Sequence, residues 1–429
     1  MRFLKAGEKG FDNYLAGIDQ RGIQDSRLLE RQVRSIMNDV RKRGDVALIH
    51  HTQVFDNVRI PINELQVGKE EIRKAYQKIP RDFLKTLEKA ARRIRRFHQL
   101  THQRSISALE KGLQLGQVVR PLETVGIYVP GGKASYPSTV LMAAIPARVA
   151  GVRKIIMTTP PHREGISPAV LVAADLACVD QVYRIGGAQA IAALAYGTKS
   201  IPKVDKIVGP GNRFVAAAKR WVYGRVDVDM VAGPSEILIL SDGRTPPSFV
   251  AADMISQAEH DEMALAILIT PSEAFGKKVK KEIEKQLSSL KRGKIAQASL
   301  DRRGAILIVK GLGQAIELAN RIAPEHLEVC LSKPFSFLKR IRNAGAVFLG
   351  LHTPEAIGDY LAGPNHILPT AGTARFSSPL GVEDFTKRMN WMRFTKGALN
   401  HFQKDVKQFA KWEGLEGHYQ AVQVRVGKP

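Results

Sequence analysis

The chain has 429 residues, 44% hydrophobic and 25% charged, an ordinary globular composition with room for roughly two to three domains. Its 65 Lys and Arg against 41 Asp and Glu leave a formal charge of +24, which favours anionic ligands. The basic residues are spread along the chain rather than gathered in a tail, so a nucleic-acid partner is not expected.

Two cysteines, Cys178 and Cys330, exclude a disulfide framework and a CxxC metal site, and read as small buried hydrophobes in a reducing compartment. The polar start MRFLKAGEKG is no secretory leader, and no apolar run approaches the roughly 18 residues of a membrane span. A soluble, cytoplasmic protein is expected.

Residues 1–24 are polar and weakly patterned and predict an arm rather than a core element. From there Leu29, Val33, Ile36, Met37 and Val40 repeat at helical spacing up to the turn at Gly44 and Asp45. Two further basic amphipathic helices run to about residue 100. In the second, segment 83–98, Phe83, Leu87 and Ile94 form an apolar stripe opposite a solvated Lys/Arg face.

Short β-branched runs then alternate with small-residue helices: VGIYV, KIIMTT, QVYRI and KIVG, followed after residue 236 by EILIL, ALAILIT, AILIV and AGAVFLG. That alternation predicts α/β architecture with two parallel-sheet units. Past Pro379 the segment FTKRMNWMRF reads as helical and the closing VQVRV as a short strand.

Four turns place glycine between a strand and a helix: PGG (130–132), GGAQ (186–189), GPGN (209–212) and AGPSE (232–236). Each admits close backbone approach by a phosphate, but the GxGxxG fingerprint is absent, so a nucleotide would be held by another arrangement. Gln257 and His260, three apart on a helix, share a face. With Asp359, His366 and His418 they could supply a mixed N/O set suited to Zn2+. Glu325 and His326 are either an acid–base pair or the first turn of a helix opened by Pro324.

Several runs resemble the histidinol dehydrogenase family: VGIYVPGGKASYPSTVLMAAIPARVAGV (125–152), RIGGAQAIAALAYGT (184–198), VDKIVGPGN (204–212), VDMVAGPSEILI (228–239), DMISQAEHD (253–261), APEHLEV (323–329), GDYLAGPNHILPTAGTARFSSPL (358–380) and EGLEGH (413–418). The resemblance implies Gln257, His260, Asp359 and His418 as zinc ligands and Glu325 and His326 as the catalytic pair. It implies Tyr128, Gln189 and Asn212 as NAD+ contacts, and Ser235, His366 and Glu413 as substrate contacts beside the ligands and His326.

The implied activity is the two-step oxidation of L-histidinol to L-histidine by NAD+. A zinc dehydrogenase of another amino alcohol or diol is the alternative. The implied architecture is two incomplete Rossmann-like domains: 128–236 for NAD+, and 25–127 with 237–378 for zinc and catalysis. An N-terminal arm (1–24) would make dimer contacts, and a small helical C-terminal domain (379–429) would reach the partner's site in a homodimer. Segments 105–117 and 389–392 depart from the family's usual character.

Overall fold

The computed structural model describes residues 1–22, 27–101, 104–131 and 135–427; Gly132 of the PGG turn lies outside them. Strand β1 spans Arg2–Lys5, β2 Ile106–Glu110, β3 Leu113–Pro121, β4 Thr124–Tyr128, β5 Lys154–Thr159, β6 Gln181–Arg184 and β7 Lys206–Val208. Strand β8 spans Asp227–Val228, β9 Glu236–Ser241, β10 Leu265–Thr270, β11 Ala305–Ile308, β12 His326–Cys330, β13 Ala346–Leu349 and β14 Thr386–Phe394.

Two parallel sheets with the same winding form the frame, as the β-branched runs predict. One has the order β6-β5-β4-β7-β8, the other β11-β10-β9-β12-β13 with β1 added beyond β11. In both, the first strand sits centrally and the order reverses beside it, the doubly wound pattern that opens a crevice at the reversal.

Alternate side chains feed opposite faces of each sheet. In the five-stranded sheet Val125, Ile127, Ile155 and Met157 enter one core cluster, and Tyr128, Ile156 and Ile207 the other. In the six-stranded sheet Leu238 and Leu240 face one side, Ile237 and Ile239 the other.

The helix Arg27–Arg43 buries the five residues its period marked. It packs, with Leu48 of the next helix, under the five-stranded sheet, and Leu87, Ala90 and Ile94 of helix Arg81–Leu100 pack on that sheet's other face. Residues 27–100 therefore join the expected NAD+ unit rather than the 237–378 unit, a correction to the division drawn from sequence. The boundary at 127/128 likewise cuts through β4.

The N-terminal segment is not an arm. Strand β1 pairs in parallel with β11, and helix Lys9–Asp19 buries Phe11, Tyr14, Leu15 and Ile18 against Leu307 and Ile316. A four-residue edge strand and one short helix are too brief for periodicity to stand out, but an open sheet edge supplies the partner.

Two further expectations fail near the C-terminus. Apart from Phe385, FTKRMNWMRF is strand β14, antiparallel to β3 along its whole length, and VQVRV lies in helix Glu416–Val426. The two departing segments meet here: Trp391 lies over Gly116, where an added Cβ would come within 2.5 Å of the indole. The bulky strand and the glycine opposite it are one packing solution. Cys330 is buried as expected, whereas Cys178 is exposed in a left-handed turn. Among the described residues no helix is long and apolar enough to cross a membrane.

Two predictions follow from this packing. Leu15→Ala should lower the unfolding free energy by about 3 kcal/mol in urea titration, the cost of a core cavity; an unchanged midpoint would return the segment to the surface. His98 is buried with neither ring nitrogen hydrogen-bonded, and burial pushes its pKa down to about 4. Its neutral form is favoured by folding, so its contribution is present above the unfolded value of about 6.5 and is lost as pH falls toward 4, by up to about 3 kcal/mol. His98→Leu should flatten that part of the stability–pH curve.

Candidate active site

A cleft of ≈ 2010 Å³ lies where the C-terminal ends of β4 and β7 face the N-terminal ends of β9 and β12. Pro130 and Asn212 contribute from the first side; Ser235, Glu325 and His326 from the second; Asp359 and His366 close it.

Glu325 immediately precedes β12 and His326 is its first residue, so the helix-start alternative is overturned. The backbone of Glu236, at the start of β9, holds both. Its N–H donates to Glu325 Oε2 at 2.8 Å, and its carbonyl lies 2.9 Å from His326 Nδ1. A carbonyl only accepts, so Nδ1 carries the proton and Nε2 keeps a lone pair. That Nε2 is buried without a hydrogen-bond partner, 3.9 Å from Glu355 Oε1 and 3.9 Å from Asp359 Oδ1.

Burial pushes the Glu325 carboxyl well above the usual carboxylate range, against the pull of the Glu236 N–H. Burial lowers the His326 pKa, opposed by Asp359. Two groups moved toward one another in this way suit proton exchange.

The metal candidates converge in part. Helix Pro247–Ala258 carries Gln257 in its last turn and ends before His260, so the two do not share a helical face as the spacing predicts; in the turn that follows, the His260 N–H donates to the Gln257 carbonyl at 3.3 Å. Ligand atoms of His260, Glu355 and Asp359 lie within 4.8 Å of one another. Gln257 is fully buried with both amide atoms unsatisfied, a costly state that a cation beside its carbonyl oxygen would relieve. The donor set therefore fits a Zn2+ ion.

Glu355 was not singled out from the sequence. The signal available was its spacing from Asp359, four residues on helix Glu355–Tyr360, which puts two carboxylates on one face. Burial, with Asp359 beside it, raises its pKa to about 9. His366 is anchored by Nδ1 to the Asp359 carbonyl at 2.8 Å, and its Nε2 lies 3.3 Å from Thr139 Oγ1.

Of the remaining sequence candidates, Asn212 lines the cleft, whereas Tyr128, Gln189, Glu413 and His418 stand apart from it. Tyr128 and Gln189 are buried at the C-terminal edge of the five-stranded sheet and do not line the cleft; the Tyr128 hydroxyl accepts the Gly187 N–H at 3.1 Å, and both amide atoms of Gln189 are unsatisfied. The Asn212 side chain caps helix Arg213–Val222 by accepting from Phe214 N and Val215 N. Glu413 and His418 are exposed on the last two helices, outside the cleft of their own chain.

Known proteins match this arrangement from end to end. A sequence profile of histidinol dehydrogenase covers residues 19–426. A histidinol dehydrogenase of Geobacter sulfurreducens is 51% identical over 99% of this chain and 100% of its own length, and one of Bacillus anthracis is 51% identical over 93% of each. The crystal structure of a histidinol dehydrogenase from Elizabethkingia anophelis superposes with a TM-score of 0.93 at 35% identity, covering 99% of this chain and 98% of that one. With two parallel sheets of one winding, the Glu325–His326 pair at their junction and full-length similarity at this level, the chain belongs to the histidinol dehydrogenase family.

Proposed function

We propose that the protein oxidises L-histidinol through L-histidinaldehyde to L-histidine, with two NAD+ as hydride acceptors, as a cytoplasmic enzyme of histidine biosynthesis. The observation that carries this reading is the buried Glu325–His326 pair, oriented by one backbone residue, opening on a cleft lined also by His260 and Asp359.

The net chemistry converts one alcohol, one water and two NAD+ into a carboxylate, two NADH and three protons. His326 Nε2 takes the hydroxyl proton as the first hydride leaves the carbinol carbon. Glu325 then takes a proton from water as its oxygen adds to the aldehyde carbon, and the resulting hydrate loses the second hydride. Tyr128, Gln189 and Asn212 serve the NAD+, and Ser235, His366 and Glu413 the substrate. When bound, Zn2+ on Gln257, His260, Asp359 and the partner's His418 supplies a cationic template for the substrate's amino and imidazole nitrogens. Enclosure between the two sheets keeps the reactive aldehyde from escaping before the second oxidation.

The working unit is a homodimer in which each C-terminal segment completes the other chain's site. Glu413 and His418 sit outside their own cleft, on helices that also expose Phe409 (70%), Trp412 (87%) and Leu415 (42%). Aromatic side chains exposed together mark a surface that another chain covers.

Two measurements test this. Each L-histidinol consumed should yield two NADH, with activity lost on chelation and regained with Zn2+; one NADH with free aldehyde would contradict the mechanism. Inactive His260→Ala and His418→Ala proteins, mixed under subunit exchange, should regain activity because a heterodimer keeps one intact site. No recovery despite demonstrated exchange would rule out the shared site.

A further inference from the structure

Arg21, which follows the first helix, reaches Glu236, the residue whose backbone holds the Glu325–His326 pair, from across the sequence. Its Nε lies 2.6 Å from Glu236 Oε1 and its Nη2 3.0 Å from Oε2, a bidentate pair with side chains only 5% and 3% exposed. Removing both charges from water costs about as much as their attraction returns, so such a pair is poor evidence of a stabilising role. Its placement suggests another.

The remaining donors of Arg21 tie together the parts that carry the chemistry. Nη1 donates to Ile18 O at 3.0 Å, and Nη2 to Ile322 O at 2.5 Å. Ile322 ends helix Leu312–Ile322, and the chain then passes through Ala323, in the left-handed region at φ 49, and Pro324 to Glu325. Glu236 Oε1 also accepts the Ala371 N–H at 3.2 Å. The carboxylate of Glu236 is thus fixed from two sides.

The backbone of the same residue holds both catalytic side chains. In the β9–β12 register Ile237 pairs with His326, so Glu236 lies one residue before the ladder. Its N–H and carbonyl are used by the side chains of Glu325 and His326 instead. We propose that the Arg21–Glu236 ion pair is a positioning device: by locking Glu236 it aims the Glu325 carboxyl and holds His326 in the Nδ1–H tautomer, with Nε2 free to act as base. Neither residue touches the reacting atoms. A shifted Glu236 carbonyl would release the ring to its other tautomer, and a misplacement of about 1 Å at such a site costs on the order of 100-fold in rate.

The inference rests on the dehydrogenase reading, and the test separates the two. Arg21→Ala, Arg21→Lys and Glu236→Gln are compared with the zinc-loaded wild type for kcat, KM for L-histidinol, zinc content and melting temperature. The His326 imidazole is read by 15N NMR, assigned by difference from His326→Gln. In Arg21→Ala we expect kcat to fall by about 100-fold, with KM within about threefold and zinc retained. The Nδ1–H signal of His326 should give way to a tautomer mixture, and added guanidinium ion should restore at least about tenfold of the rate. Arg21→Lys should lie between.

A folded variant with kcat within about twofold of wild type overturns the proposal, as does a rate loss with the His326 tautomer unchanged. If Arg21→Ala does not fold, the same readouts in Arg21→Lys and Glu236→Gln decide. A wild type that makes no NADH from L-histidinol refutes the substrate assignment alone, and the NMR comparison still decides the positioning role.

Discussion

Residues 229–235 join β8, at the edge of the five-stranded sheet, to β9, at the centre of the six-stranded sheet. The cleft lining shows that the C-terminal edge of one sheet faces the N-terminal edge of the other. Open α/β sheets bind ligands outside the carboxyl ends of their strands where the order reverses. Only the first sheet uses that edge here. The second offers its opposite edge, where Glu236, Glu325 and His326 begin or precede strands. Glycine-bearing turns of the first sheet and the Glu325–His326 pair of the second therefore share one cleft, although they come from sheets of identical winding.

Electrostatics in the cleft follow from the same junction. Glu325, Glu355 and Asp359 lie close together with His326 and His366, beneath walls formed by both units. Burial penalises the charged forms, and neighbouring carboxylates repel those of Glu325 and Glu355, so these two pKa values rise while those of His326 and His366 fall. Such a pocket favours a cation that neutralises it, whether a metal ion or the amino group of a substrate. Against this stands a chain with a formal charge of +24, and the two are consistent: a cluster of carboxyls is buried in the cleft while the basic surplus is spread along the whole chain.

Legibility in the sequence depended on how local the causes were. Helix Arg27–Arg43 and the apolar strands could be read because their burial pattern is a period within one segment. Strand β14 was read as helical because its aromatics gain meaning only opposite β3 and Gly116. VQVRV has strand-like β-branched residues yet forms a helix, packed on the helix Lys396–Glu413. Local propensity yields to a partner contributed by another part of the chain.

Residue chemistry and motif order, carried by the sequence alone, determined the family and the α/β class, and singled out Glu325, His326, His260 and Asp359 as site candidates. Tertiary structure decided which of those side chains meet, that Glu355 joins them, and that the N-terminal segment is sheet and core rather than arm. It also decided that Arg21 closes on Glu236 across 215 positions of sequence. Periodicity reports the neighbours a residue has along the chain, whereas a buried ion pair or a metal site is made by neighbours in space, and only folding brings those together.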